Sequence, residues 1–374
     1  MLLAAVLLAG CNQGTGHQQR SPSAARIVEP SSSACVAAQS QPATPDGVKT
    51  SQPVWVLASG LTEPDDLWFD RDGSVLVGEY SPGRIVRVGG QAGLERLPYN
   101  VGLPEGITRI GDVLYVADQR ADRVLAIDAA GNVRTFLQLQ PVPGLLGLDQ
   151  IVAQGDTLIV PDSPRGVILF VNTGGQVVRR AGGFARPAGA WPAADGSVLV
   201  ADENLNGVFR LRADGTHEKL ASLAVADDVV ETRDGRIFAI SESNGQMIEV
   251  GKGPFVTALK TAQGLALDGP GNLLVTEHDA GRLDLVLLTF KILPYANGVS
   301  LQPGQALCVR FARAFGFNDS VELAAGDGYR VLKQPQGDRP GEVLPDRCTQ
   351  RCSIRVLARS GDRSDGAWVT YTNS

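Results

Sequence analysis

The sequence predicts an all-β fold: a six-bladed β-propeller closed by its own amino-terminal strand, followed by a small β-sandwich-like domain. Three observations carry this expectation. First, PDDLWFDRDGSVLVGEYSPGRIVRV from Pro64 recurs in altered form from Pro104, Leu148, Pro187, Ala226 and Gln263, at a spacing of about 40 residues. Second, each copy places a Gly-containing turn, such as Asp72-Gly73, Asp195-Gly196 or Asp234-Gly235, between alternating apolar runs, which is a hairpin signature. Third, VWVLASGL at 54–61 resembles the weak fourth strands of the copies, including EKLASL at 218–223. It can therefore complete a last blade that otherwise lacks a strand and cover its edge.

Within a copy the order is constant. A short apolar inner strand meets the turn. A Val/Leu/Ile-rich second strand ends in Glu79, Asp118, Asp162, Asp202, Ser241 or Glu277, a third strand follows, and a fourth closes the unit. A parallel β-helix would use shorter, more uniform coils, and a sandwich would not need six alignable copies. Acids repeated at the second-strand ends are what hydrogen bonding within each loop would produce.

The flanking segments differ in composition. MLLAAVLLAGC is too short to span a bilayer, and Leu8-Ala9-Gly10-Cys11 resembles the lipobox of bacterial lipoprotein signals, although no Lys or Arg precedes it. That resemblance implies residues 1–10 as a signal peptide, acylation of Cys11 and a membrane partner through the lipid, hence an extracytoplasmic, envelope-anchored protein. An ordinary cleaved signal is the alternative. Residues 11–52, rich in Ser, Gln, Ala and Pro, are expected as a flexible tether. The propeller is expected over 53–288, and over 289–374 a small antiparallel sandwich. With Cys11 acylated, Cys35, Cys308, Cys348 and Cys352 remain, an even number whose disulfide pairing three connectivities would satisfy. A net charge of −6, without a basic block, excludes nucleic acid as a partner.

Radial arrangement would gather distant carboxylates. The inner-strand starts form one ring of Asp65, Glu105, Asp149, Ala188, Asp227 and Gln263, and a second of Asp66, Gly106, Gln150, Gly189, Asp228 and Gly264. Like charges about 8 Å apart repel by roughly 2 kcal/mol at an effective dielectric near 20, so such a mouth calls for a cation or for abundant water. Oxygen donors without His or Cys favour Ca²⁺ or Mg²⁺. Asp66, Glu105, Gln150, Asp228 and His278 are ligand-pocket candidates for a small-molecule or protein ligand. His278, between Glu277 and Asp279, is either a general base or a loop residue.

The Pro-x-Gly starts and the VLYVAD and VLVADENLNGVFRL segments resemble NHL repeats and the senescence-marker-protein/gluconolactonase/strictosidine-synthase-like superfamily, over about residues 54–286. The resemblance implies a metal held at the mouth by acid and amide side chains. Asp227 matches the acidic ligand that opens an inner strand, with Asp65 and Asp149 as further metal candidates. Where the lactonase pattern has Asn-Gly, this chain has Ala188-Gly189, and a streptogramin-lyase site would need several histidines where only His217 and His278 are available. The expected function is a binding or scaffold propeller, with a metal-dependent lactonase-like hydrolase as the alternative.

Cys11→Ser should abolish incorporation of a fatty-acid label and move the protein from the membrane pellet to the soluble fraction. Unchanged labelling would refute acylation at Cys11.

Overall fold

A computed structural model describes residues 35–90, 93–296 and 298–373; Cys11 and the signal segment lie outside them. Six four-stranded antiparallel sheets follow one another along the chain. The first five are built within residues 64–100, 104–138, 152–182, 187–222 and 226–257. The sixth joins Ala262–Leu267, Leu273–Glu277 and Arg282–Val286 to Val54–Ser59, which pairs antiparallel with Arg282–Val286.

The sheets pack face to face because their alternating residues fill the wedge between neighbours. Leu76, Ile107 and Leu125 lie between the first and second sheets, Val160 and Ala117 between the second and third, and Ile159 and Val200 between the third and fourth. Ala201 with Val229 and Phe238 with Val275 continue the series. Trp55, Leu67, Val77 and Leu285 join the sixth sheet to the first. Burial falls outward: Val75–Glu79 is buried throughout, whereas Gly93–Asn100 is mostly exposed.

A repeated irregularity shapes the inner strands. The register slips between Pro64 and Leu67, Pro104 and Ile107, Pro187 and Ala190, Ala226 and Val229, and Ala262 and Leu265. The two residues released by each slip are those of the two rings. A bulge frees a side chain from the pleat and re-aims it, so one local device turns both rings towards the axis.

Two further sheets follow the sixth and pack as a sandwich. A four-stranded sheet (Val299–Leu301, Arg363–Asn373, Cys352–Ser360, Glu322–Ala324) packs on a three-stranded one (Leu307–Val309, Gly341–Pro345, Tyr329–Lys333) around Leu307, Val343, Val356 and Tyr371. One detail departs from the antiparallel expectation: Val299–Leu301 pairs parallel to the last strand. The domain sits on the propeller face formed by the first hairpins. Lys291 bridges Asp268 at 3.0 Å and Asp365 at 2.7 Å, and Arg233 reaches Asp362 at 3.0 Å. Among the described residues, the opposite face, where the inner strands begin, is open.

The expected tether is not free along its whole length. Cys35 is disulfide-bonded to Cys308, Val36 pairs with Leu307, Gln39 with Tyr295 and Lys49 with Thr257. Low apolar content misleads here because a disulfide and backbone bonds hold the segment, helped by a few apolar side chains, Val36, Ala38 and Val48, packed on neighbouring cores. The second disulfide is Cys348–Cys352. Two disulfides indicate an oxidising, extracytoplasmic compartment. Among the described residues no helix is long and apolar enough to cross a membrane.

Closing a loop of 273 residues constrains the unfolded chain far more than closing one of 4. Cys35→Ser/Cys308→Ser should cost about 2–5 kcal/mol in urea unfolding, and Cys348→Ser/Cys352→Ser distinctly less. Equal losses would show that chain entropy is not the main term.

Candidate functional site

The inner-strand starts and the residues just after the second strands enclose a cavity of about 530 Å³. Its lining includes Asp65, Glu105, Asp149, Asp227, Gln263 and His278 from the sequence reading, together with Tyr80, Gln119, Leu146, Arg186, Glu203 and Glu242. Carboxylate oxygens of Glu203, Asp227 and Glu242 all lie within 4.8 Å of one another. Asp227 is thus the one proposed metal ligand that belongs to this close cluster.

Asp149 is engaged otherwise: Arg186 Nη2 donates to its Oδ2 at 3.0 Å, and Arg186 Nε donates to Glu203 Oε2 at 2.7 Å. Asp65 shares a hydrogen bond with Glu105, and His278 Nδ1 lies 4.0 Å from Asp65 Oδ2. Tyr80 and Gln119 are joined by a 2.9 Å bond from the phenol to the amide oxygen.

The second ring lies deeper and does a different job. Asp228 accepts backbone N–H bonds from Leu265 at 2.8 Å and Val229 at 2.6 Å, and Gln150 Oε1 accepts from Ala190 at 2.7 Å. Asp66 is buried beside Asp228. These three pocket candidates therefore lie beneath the cavity lining, where Asp228 and Gln150 satisfy inner-strand amides. Glycines alternate with them, since a Cβ at Gly189 would come within 2.5 Å of the Asp227 carbonyl oxygen. The second-strand acids likewise serve loops: Asp202 takes N–H bonds from Ala185 at 2.8 Å and Leu205 at 2.8 Å, and Asp118 takes one from Leu103 at 3.2 Å. His217 lies on a fourth strand, away from the mouth, against Phe184.

Sequence reasoning passed over Tyr80, Gln119, Glu203 and Glu242. A signal was present: each follows directly on a second-strand end, as His278 does in the last copy. Carrying that one-residue step through every repeat would have found them all.

Burial and mutual repulsion set the protonation. Desolvation raises Asp65 to about 7, and desolvation followed by repulsion from Asp149 raises Glu203 to about 7. Asp227 and Glu105 stand well above the usual carboxylate range, again through burial first and neighbouring acids second. Asp149 is raised by burial, with Arg186 pulling the other way, and burial lifts Asp228 to about 8. Two charges 4.8 Å apart repel by about 3 kcal/mol at an effective dielectric near 20, before water screens them. Three ionised carboxylates so placed need protons or a cation, and hard oxygen donors without sulfur or imidazole among the three suit Ca²⁺ or Mg²⁺.

Groups whose pKa is higher folded than unfolded stabilise the fold fully below about pH 4, and that contribution is lost as pH rises through 7 to 8. With EDTA present, unfolding free energy should fall from about pH 5 to pH 8, and Asp65→Asn/Asp228→Asn should flatten that slope. A profile that rises over this interval would contradict the assignment.

No protein-family model matches the sequence, and no curated protein matches it. Solved structures do. A gluconolactonase from Xanthomonas campestris is 14% identical, with a TM-score of 0.54 covering 69% of this chain and 98% of that one. A luciferin-regenerating enzyme is 10% identical, with a TM-score of 0.53 covering 63% and 95%. A streptogramin B lyase is 12% identical, with a TM-score of 0.50 covering 63% and 97%. At these identities the likeness is one of fold, and it identifies the chain's architecture as a β-propeller.

Proposed function

We propose that this protein is an exported propeller, anchored through an acylated Cys11, whose open mouth binds a divalent cation and, beside it, an oxygen-bearing small molecule. The observation that carries the reading is the convergence of Glu203, Asp227 and Glu242 oxygens within 4.8 Å of one another. These three residues would hold Ca²⁺ or Mg²⁺. When bound, such an ion would polarise a ligand oxygen. Arg186 fixes the Glu203 carboxylate from behind and balances part of the negative charge. The cavity, at about 530 Å³, is of the size that holds small molecules.

A second reading, lactone or ester hydrolysis, draws support from the Asp65–Glu105 pair. A carboxyl with a pKa of about 7 beside its neighbour can accept or return a proton near neutrality. The gluconolactonase likeness is consistent with this reading but reaches only the fold. Binding without turnover remains the first reading because Ala188 stands where the lactonase pattern has a side-chain amide.

Calcium titration followed by melting temperature tests the proposal. At a concentration 100 times the Kd, a native-state ligand adds about 2.7 kcal/mol of stability. Wild type should show a saturable upward shift, and Asp227→Ala should lose it. No shift with either Ca²⁺ or Mg²⁺ would rule out the cation.

A further inference from the structure

The connector entering the third sheet is unlike the others. Residues 139–148 precede its ring residue Asp149, whereas 101–104, 183–187, 223–226 and 258–262 suffice elsewhere. Its sequence, LQPVPGLLGL, leaves Leu145 57% and Leu146 50% exposed side by side. A scattered exposed leucine needs no explanation. Here two are adjacent, and Leu146 lines the same cavity as the carboxylates.

The loop is held in place. Leu139 N–H donates to the Asp122 carbonyl at 2.9 Å, Gln138 Nε2 to that of Ala121 at 2.9 Å and Leu145 N–H to that of Val142 at 3.1 Å, while Arg165 bonds the Gln140 carbonyl. Gly147 presses so closely on the next turn that a Cβ would lie 2.7 Å from the Gln119 carbonyl oxygen. The leucines are therefore presented from a fixed support attached to the residue that lines the mouth.

Carboxyl groups line that mouth all round, but the close cluster of three lies on one side. Arg186, Glu203, Asp227 and Glu242 come from the fourth and fifth sheets or the connector between the third and fourth. Across the ring, the second-strand ends of the first and second sheets present Tyr80 and Gln119, which bond each other and carry no charge. Leu146 adjoins this side. A molecule spanning the opening meets the Glu203, Asp227 and Glu242 oxygens at one end and, at the other, Tyr80, Gln119 and Leu146 beside the hydrogen-bonded Asp65–Glu105 pair.

We propose that the ligand of this mouth is an amphiphile, with an oxygen-bearing head towards Glu203, Asp227 and Glu242 and a hydrocarbon part of several carbons resting on Leu145 and Leu146. The inference rests on the mouth being the binding site and narrows its ligand class. A polyhydroxylated ligand would leave the two leucines unmatched, because hydroxyls gain nothing from apolar surface.

The test is calorimetric binding of a homologous series of 5-alkyl-2-pyrrolidinones, which keep a ring carbonyl but resist hydrolysis, with gluconolactam as the polyhydroxylated comparator, in both CaCl₂ and EDTA. Full burial of a CH₂ gives about fourfold in affinity, so a half-covered chain on an open rim should give about twofold per CH₂. Leu145→Ser/Leu146→Ser should flatten the series while leaving the calcium-induced melting shift intact, and Leu145→Met/Leu146→Met should keep the slope. A flat wild-type series, an unchanged slope in the serine variant, or tighter binding of gluconolactam than of the longest alkyl compound would each overturn the proposal. A slope that persists in EDTA in a protein indifferent to calcium would support the leucine contact while removing the cation.

Discussion

The structure depends on how closely the innermost strands approach one another around the axis. Six strands can converge only if backbone meets backbone at alternate positions, which is why Gly106, Gly189 and Gly264 interleave with Gln150, Asp228 and Asp66. The bulge that opens five of these strands then turns acidic side chains inward. Concentrated charge at the mouth follows from that geometry and is opposed by Coulomb repulsion. The apolar interfaces between sheets offset it, with residues such as Leu76, Val160, Val200 and Leu285 withdrawn from water.

The two ends of the propeller have divided roles. At the hairpin end, Asp268, Lys291 and Asp365 form a buried network that fixes the carboxy-terminal domain, and Asn272 adds a 3.0 Å bond to the Phe290 carbonyl. At the other end, among the described residues, little covers the inner strands except the connector loops. Polar groups there are crowded, partly protonated and incompletely paired, which is where a ligand has most to contribute.

Much of this architecture was legible in the sequence because repetition makes each copy corroborate the others. Asp72-Gly73, Asp195-Gly196 and Asp234-Gly235 all fall in first hairpins, and VWVLASGL completes the sixth sheet. The site was legible only in part. Asp65, Glu105, Asp149 and Asp227 were found through their shared place in the repeat, but nothing in composition separates that layer from the one beneath, so Asp66, Gln150 and Asp228 were read into the pocket too. Glu203 and Glu242 were hidden behind second-strand ends that attract attention as loop acids. The attachment of residues 35–52 was illegible in principle: a disulfide partner 273 residues away and isolated backbone bridges leave no periodic trace.

The Cys35–Cys308 bond also encloses every sheet of the propeller within one covalent circle. A protease that nicks an exposed connector, such as the one carrying Leu145, would produce two polypeptides that remain tied together and in place until the bond is reduced. In an environment rich in hydrolytic enzymes, such a molecule could be cut without falling apart.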